Sequence, residues 1–270
     1  MTIGTEVKSV RIVGAGLLGT SIGLALSKAG VDVSIESASP SSQALAVDYG
    51  AGRNATAMDQ PDVVFVCVPP DVTAKIVVAK LSEFPNAVVT DVASVKAEIL
   101  DSVEALGSDS ARYVGSHPMA GREKGGAISG RADLFFGRPW IITPNEKNSK
   151  SAIALVKNLA IELGSTPILM SAKEHDQAVA MVSHVPQVVS SLLAARLNSA
   201  EVGQVSLAGQ GLRDTTRIAA SDSKLWTQIL SANHEAVSAI LADYAADLQS
   251  LAEALKDPAA PGAISKISAA

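Results

Sequence analysis

The chain has 270 residues, 47% of them hydrophobic but only 3% aromatic, so it is long enough for two domains with aliphatic cores. Its net charge of −5, without any block of Lys or Arg, argues against nucleic acid or a membrane surface as a partner. The single cysteine predicts no internal disulfide, and the four histidines lack the spacing of metal ligands, so we expect no metal. The sequence shows no secretion signal and no apolar run near 18 residues, which predicts a cytoplasmic protein without a membrane span.

The first elements surround a glycine motif. A β-branched run at residues 10–13 leads into Gly-Ala-Gly-Leu-Leu-Gly at positions 14–19, and a helical pattern and a strand at Asp32–Glu36 follow. This order is the context of a dinucleotide-binding fold. Gly14 allows a tight turn, Gly16 lets the backbone approach a pyrophosphate, and Gly19 lets helix and strand pack closely. The pyrophosphate is expected at the N-terminus of the helix.

The end of the second strand is where the adenosine ribose is expected. Glu36 fits a 2′-hydroxyl partner and therefore NAD. If the strand is one residue longer, Ser37 takes that position. Its hydroxyl-rich turn would admit the 2′-phosphate of NADP, although no Arg lies nearby in the sequence to bind it. The sequence leaves the choice between NAD and NADP open.

The next elements alternate in the same way. We predict a helix at 41–49, a strand at 63–68, a helix at 71–81, a strand at 87–91 and a helix at 95–106. Pro69 and Pro70 end the first of these strands, and they form either a wall beside the nicotinamide or a plain strand-to-helix turn. The candidate cofactor-binding residues are Gly14, Gly16, Leu17, Leu18, Gly19, Glu36, Ser37, Val68 and Pro69.

Two polar positions lie at or after strand ends. Ser94 follows the strand at 87–91, where it caps the next helix, contacts a ligand at the sheet edge, or does both. A strand at 113–116 leads to His117, which Pro118 favours in an extended conformation within a glycine-rich run. Histidine exchanges protons near neutral pH, so His117 is either a catalytic group or a structural turn residue.

Strands at 140–143 and 166–170 and a helix at 149–163 complete the first half, and no strand pattern follows residue 171. We therefore predict an α/β dinucleotide-binding domain at 1–171 and an all-helical domain at 172–256. The last helix is expected at 224–255 and a disordered tail at 257–270. The helical domain is rich in alanine and leucine, and apolar faces that one subunit cannot cover favour a homodimer.

The helical half contains two polar clusters. Ser-His-Val-Pro at positions 183–186 interrupts a helix, and His184 is either a core residue or a ligand contact. Arg213 and Arg217 lie four residues apart and share a helical face, with Asp214 between them. Guanidinium groups bind carboxylates in a planar fork, so the arginines fit an anionic substrate; a solvated helix start is the alternative.

Together these motifs resemble the prephenate/arogenate dehydrogenase family of tyrosine biosynthesis. The matching segments are Gly14-x-Gly16-x-x-Gly19, Asp91-x-x-Ser94-x-Lys96, His117-Pro118-Met119-Ala120-Gly121-x-Glu123, Glu174-His175-Asp176, Ser183-His184-x-Pro186 and Arg213-Asp214-x-Thr216-Arg217-x-Ala219, with Trp226 after them. The resemblance covers residues 10–255. It implies a Rossmann-type NAD(P)-binding domain followed by a helical dimerisation domain, with the active site between them.

The resemblance also implies a reaction. The substrate is a cyclohexadienyl carboxylate, prephenate or arogenate, which is oxidised by NAD or NADP and loses carbon dioxide as its ring becomes aromatic. The sequence does not choose between the two substrates. The implied site residues are His117 and Ser94 for catalysis, His184, Arg213 and Arg217 for substrate binding, and Glu123 and Asp214 for gating. His175 and Asp176 are expected to be structural.

Two other classes share part of this pattern. A β-hydroxyacid dehydrogenase or an imine reductase has the glycine motif and a helical second domain, but it does not explain His117 together with the two arginines. A non-catalytic NAD(P)-binding redox sensor would bind the cofactor without turning over any cyclohexadienyl acid. Turnover of prephenate or arogenate separates these hypotheses.

Overall fold

The computed structural model describes residues 7–107, 110–122 and 125–256. Within them the strands are β1 (Ser9–Val13), β2 (Asp32–Glu36), β3 (Arg53–Asn54), β4 (Val63–Val66), β5 (Val88–Asp91), β6 (Tyr113–Pro118), β7 (Pro139–Thr143) and β8 (Thr166–Leu169). The helices of this half are α1 (Leu17–Lys28), α2 (Pro40–Asp48), α3 (Pro70–Glu83), α4 (Ala97–Ala105) and α5 (Lys150–Glu162). The predicted elements are all present, and the two-residue β3 was not predicted.

All eight strands form one sheet in the order β3-β2-β1-β4-β5-β6-β7-β8. Neighbouring strands from β3 to β6 pair in parallel, while β7 runs antiparallel to β6 and parallel to β8. Parallel strands place their carboxyl ends at one edge, and the strand order reverses between β1 and β4 at that edge. Ligands of open α/β sheets bind at such a reversal. The topology confirms the predicted fold class.

Aliphatic side chains fill both faces of the sheet, as the composition predicts. Ile12 and Phe65 belong to the core cluster on one face, and Val64 and Val77 belong to the cluster on the other. β4 is buried along its whole length because helices cover both faces. This double burial explains why its sequence is a continuous apolar run rather than an alternating pattern.

The second half contains helices joined by short loops and no strand among its described residues, 172–256. Its helices are α6 (Ala172–Val179), α7 (Val185–Arg196), α8 (Val202–Val205), α9 (Gln210–Thr216), α10 (Ser223–Ala232) and α11 (His234–Ala254). The interruption expected around His184 is a π-helical turn, Ala180–His184, which joins α6 to α7. Pro186 lies in the first turn of α7, and the wider turn before it accommodates the missing backbone donor.

The prediction of one long final helix at 224–255 was wrong. Asn233 leaves the helical conformation, with φ −118° and ψ 31°, and separates α10 from α11. Its side-chain amide donates to Nδ1 of His184 at 3.1 Å, and both side chains are buried. The helix break thus lies at a buried polar contact, in a stretch whose apolar periodicity continues on both sides.

Backbone contacts divide the chain into two compact units. The first unit is Met1–Asp176 with Ala220–Ala232, and the second is Gln177–Ala219 with Asn233–Ala270. The expected boundary at residue 171 thus falls close to the first crossing, and α10 belongs to the first unit. The tail predicted at 257–270 lies outside the described residues.

The stretch Ala172–Ser199 bears on the expectation of no membrane span. By length and mean hydropathy these 28 residues could cross a membrane, and a third of the most apolar window is buried. Serines and a histidine interrupt the run without lowering its mean hydropathy enough to exclude it, so the expectation of no membrane span stays a prediction. A core helix of a soluble protein passes the same test, so one such stretch is weak evidence of a span.

Candidate functional site

The glycine motif after β1 forms a cradle for a pyrophosphate. A Cβ on Gly14, where φ is +109°, would lie 2.2 Å from the carbonyl oxygen of Cys67, and one on Gly19 would lie 2.0 Å from the Gly14 oxygen. A Cβ on Gly16 would meet no described atom within 4 Å. Gly16 is also the N-cap of α1 without a side-chain hydrogen bond from the described residues. Backbone packing therefore requires two of the glycines, and the third opens the helix N-terminus to an anion, which fits a dinucleotide.

The end of β2 carries a bound carboxylate and a hydroxyl turn. Arg11 donates to one Glu36 oxygen at 2.6 Å, and Lys80 approaches the other at 2.5 Å. The backbone amide of Gly14 donates to the Glu36 carbonyl at 2.8 Å, so this strand end lies against the glycine turn. Ser37 follows, and its hydroxyl accepts from the Ser39 amide at 3.2 Å. The carboxylate of Glu36 is thus held by two cations.

Val68 and Pro69 lie on the loop after β4, which ends two residues earlier than predicted. A Cβ on Gly14 would lie 3.3 Å from a methyl carbon of Val68, so Val68 lines the glycine turn. Pro69 is the N-cap of α3 and Pro70 its first residue. The two prolines therefore form the strand-to-helix turn that was one of their two interpretations.

A buried ion pair organises the loop between β5 and α4. Asp91 pairs with Lys96, and its carboxylate also accepts from the hydroxyl of Tyr113 at 3.0 Å. Lys96 Nζ donates to the carbonyl of Ser116 at 2.9 Å, which ties this loop to β6 one residue before the predicted catalytic histidine. Burial lowers the pKa of Lys96, and Asp91 opposes that shift. The pair fixes the geometry of both segments.

Ser94 lies in this loop, half-buried, and it does not begin the helix. α4 starts at Ala97, and its N-cap is Lys96. The cap comes from far along the chain, because Asp176 accepts from the backbone amides of Lys96 and Ala97, both at 2.9 Å. The capping role considered for Ser94 was therefore wrong. A contact with a ligand is the interpretation that remains for it.

His117 is the penultimate residue of β6 and is buried, 8% exposed. Its Nδ1 lies 2.8 Å from Nε2 of His175, and Nδ1 of His175 lies 2.7 Å from a carboxylate oxygen of Asp176. His175 is fully buried, and burial lowers its pKa, while Asp176 opposes the shift. Sequence reasoning left these two partners as structural. The signal that pointed to them was the matching segment Glu174-His175-Asp176.

The other predicted site residues belong to the second unit. His184 is fully buried and accepts from Asn233, while Arg213, Asp214 and Arg217 are exposed, in or next to α9. Asp214 accepts from Gln210 at 2.7 Å. Arg213 lies in α9, whereas Arg217 begins the 3₁₀ turn Arg217–Ala220 that follows it, so the predicted α-helix ends between them. Glu123, the remaining gating residue, lies outside the described residues.

The structure thus assembles two groups of the predicted residues. The glycine turn, the end of β2 and Val68 lie together in the first unit. The Ser94 loop and His117 are connected in the same unit through Asp91, Lys96, His175 and Asp176. Sequence reasoning missed Arg11 and Lys80 beside Glu36, because ion pairs over 25 and 44 positions leave no local pattern.

Comparison with known proteins agrees with this arrangement. A family model for the nucleotide-binding domain of prephenate dehydrogenase matches residues 22–169, and one for its dimerization domain matches residues 171–266. A probable prephenate dehydrogenase, NovF, of Streptomyces niveus is 37% identical over 91% of this chain and 68% of its own length.

Solved structures agree as well. Prephenate dehydrogenase of A. aeolicus, in complex with hydroxyphenyl propionate and NAD+, superimposes with a TM-score of 0.88 at 28% identity, over 98% of this chain and 96% of that one. Arogenate dehydrogenase of Synechocystis gives a TM-score of 0.79 at 27% identity over 96% of each chain. Two family models that together match most of the sequence, and a relative at 37% identity, show that the chain belongs to the prephenate dehydrogenase family.

Proposed function

We propose that the protein catalyses the NAD(P)-dependent oxidative decarboxylation of prephenate to 4-hydroxyphenylpyruvate, or of arogenate to tyrosine. Family membership and the names of its relatives support this reaction. The observation that carries it is the buried His117, hydrogen-bonded to His175 in the same compact unit as the glycine cradle. A proton acceptor and a dinucleotide site are the two requirements of an alcohol oxidation.

The nicotinamide cofactor, when bound, accepts the hydride from the carbinol carbon. His117 takes the proton of the substrate hydroxyl, and Ser94 hydrogen-bonds to the same hydroxyl. Loss of carbon dioxide then makes the ring aromatic, which drives the reaction forward. The chain's contribution is to hold the base at a fixed position, and the ties from Asp91, Lys96 and His175 support that role.

Substrate binding is proposed for the arginines. The substrate carries carboxylates, and Arg217 with Arg213 supplies guanidinium groups that bind them through paired hydrogen bonds. Both side chains are exposed, so solvent and ligands reach them. His184 is proposed to assist the arginines in substrate binding. Because it is fully buried, it would act by supporting the residues around it. Gating by Glu123 and Asp214 stays a proposal from the resemblance alone.

The cofactor is NAD or NADP, and the end of β2 bears on the choice. Arg11 and Lys80 bind both oxygens of Glu36, which reduces its capacity to repel a 2′-phosphate. Ser37, next along the chain, presents a hydroxyl rather than a carboxylate. We therefore propose that the site accepts NADP as well as NAD.

The assembly proposed is a homodimer formed by the helical half in the cytoplasm. The family model over residues 171–266 describes a dimerization domain. Met181, Val182 and Leu192 are 58%, 67% and 61% exposed on one apolar helical stretch. Such side chains are expected to be covered by a second subunit.

A spectrophotometric assay with prephenate and arogenate, each with NAD+ and NADP+, tests the proposed activity. Formation of NADH or NADPH with at least one pair is the expected result. Cofactor binding without turnover of either acid would identify a redox sensor, and turnover only of a β-hydroxyacid or an imine would identify another reductase. Either outcome would reject the proposal.

His117→Asn tests the proposed base. Asparagine keeps a hydrogen-bonding group of similar size but does not take the proton, so turnover should fall roughly 10²–10⁴-fold while NAD(P)H affinity stays unchanged. The wild-type kcat/KM should also fall on the acid side, and the variant should lose that limb. His234→Asn, on an exposed histidine, is the matched control. A His117→Asn enzyme with near-normal turnover and the same acid limb would make another group the base, with His184 next.

A further inference from the structure

His175 and Asp176 are buried polar residues that the sequence left as structural. They are 0% and 6% exposed. Together with His117 they form a chain of two short hydrogen bonds, 2.8 Å between the imidazoles and 2.7 Å from His175 to the carboxylate. The far end of the chain is fixed, because Asp176 accepts the two backbone amides that begin α4. Packing alone would be served by apolar side chains. Burying two imidazoles and a carboxylate is costlier, which suggests a role beyond packing.

The direction of each hydrogen bond follows from the fixed end. An ionised carboxylate only accepts, so Nδ1 of His175 carries a proton and donates to Asp176. His175 is neutral, since burial lowers its pKa, and its Nε2 is therefore an acceptor. The partner across the 2.8 Å bond, Nδ1 of His117, must then be the donor. In a neutral imidazole with its proton on Nδ1, the lone pair is on Nε2.

We propose that His175 and Asp176 are positioning residues that hold His117 as the Nδ1–H tautomer, so that Nε2 is the atom that accepts the substrate proton. This inference rests on the proposed function of His117 as the base. In the step, the substrate O–H bond breaks and an N–H bond forms at Nε2, while the hydride leaves for the oxidised nicotinamide. The imidazolium that results stays hydrogen-bonded through neutral His175 to the anionic Asp176, and no proton leaves His117 along the chain.

The charges around the chain support this role. Asp91 on β5 and Lys96 before α4 pair with each other, so their charges largely cancel. Asp176 lies at the end of the chain remote from His117. Its negative charge stabilises a positive His117 through the hydrogen-bond chain, and the amides at the N-terminus of α4 hold Asp176 in place.

Nitrogen NMR of the imidazoles measures the tautomer directly. The full chain is labelled with ¹⁵N-histidine, and its four histidines are assigned from spectra of single His→Asn variants. Near neutral pH we expect a protonated Nδ1 and an unprotonated Nε2 in both His117 and His175. A wild-type His117 with its proton on Nε2 would overturn the inference.

Kinetics of two variants of one residue separate positioning from packing. The carbonyl of His175→Gln still accepts from Nδ1 of His117, whereas His175→Leu fills similar space without accepting. His175→Leu should lower kcat roughly 10²–10⁴-fold with KM and NAD(P)H affinity within about twofold of wild type, and His175→Gln should retain more activity. A packing role makes the apolar variant at least as active as the amide. A His175→Leu enzyme with wild-type kcat would therefore overturn the inference, and if neither variant folds, the wild-type tautomer decides.

These outcomes distinguish the inference from the proposed function. A wild-type enzyme that turns over neither prephenate nor arogenate rejects the proposed function, and the NMR measurement still reports on the hydrogen-bond chain. An active wild type, an inactive His117→Asn and a fully active His175→Leu together reject only the positioning role.

Discussion

Gly16 tests the position of the cofactor, because a side chain at this residue would occupy the space expected for the pyrophosphate. Its conformation, φ −84° and ψ −166°, suits any residue, and a side chain there would meet no described atom within 4 Å. Gly16→Val should therefore leave the fold intact but fill the space above the helix N-terminus. We expect NAD(P)H affinity, measured by fluorescence titration, to fall below detection with a melting temperature close to wild type.

Gly209 provides a matched control for this substitution. It is the N-cap of α9 with nearly the same conformation, φ −87° and ψ −170°, and an equally open Cβ position. Gly209→Val should bind NAD(P)H like the wild type. Unchanged cofactor affinity in Gly16→Val would place the cofactor site elsewhere.

His175 makes the stability of the fold depend on pH. Burial holds its pKa below the value of about 6.5 that it has in the unfolded chain, so the unfolded state binds more protons as the pH falls below that value. The free energy of unfolding should therefore decrease from pH 7.5 to 5.5. In His175→Gln, which does not titrate, the decrease should be smaller, as measured by thermal melts at the two pH values.

Other groups titrate in the same range, so the comparison needs a second variant. His234 is exposed, and His234→Gln should retain the full wild-type decrease. Equal decreases in His175→Gln and the wild type would show that His175 does not set the acid sensitivity.

At the level of elements, the prediction concerns the junction of β2 and α2, where the adenosine ribose of the cofactor is expected. Ser37→Asp places a carboxylate where the wild type has a hydroxyl. Repulsion of a 2′-phosphate of about 1–2 kcal/mol corresponds to roughly a fivefold to thirtyfold loss of NADPH affinity, while NADH affinity should hold or rise. Fluorescence titrations with both cofactors measure the ratio.

Ser37→Asn is the neutral control, and it should change both affinities by similar factors. The wild type should bind NADPH and NADH with affinities of the same order. A wild type that binds NADH but rejects NADPH would mean that Glu36, in spite of its two cationic partners, still selects the cofactor.

For the whole molecule, the prediction concerns assembly. Leu192 is 61% exposed on α7, in the second unit. In a dimer that covers Leu192, the substitution Leu192→Glu would bury a charge without a partner. This is costly, so the variant should dissociate into monomers. Light scattering at micromolar concentration should give twice the chain mass of 27.6 kDa for the wild type and a mass near one chain for the variant.

Met58 supplies the control for assembly because it is 86% exposed in the first unit. Met58→Glu should leave the mass unchanged. A wild type that is monomeric at these concentrations contradicts the proposed homodimer, and a dimer that survives Leu192→Glu moves its interface away from this part of α7.

Local sequence by itself determined the class of fold, and it predicts the position of the cofactor site. Short apolar runs gave the strands of the first half, because a central parallel strand is buried on both faces, and helical apolar periods gave the helices, because each helix buries one stripe. The glycines at 14–19 were informative because their constraint is also local. A tight turn and a close backbone approach restrict the residue type at single positions.

The tertiary structure alone decided which polar groups meet. His175 lies 58 positions from His117, and Asp176 lies 80 positions from the helix start that it caps. Asn233 breaks the last helix through a partner 49 positions away. Such contacts depend on how elements pack, and no periodicity or motif records the pairing. The sequence therefore identified His117 as a catalytic candidate. Only the folded chain showed His175 and Asp176 beside it, the partners proposed to hold it as the Nδ1–H tautomer.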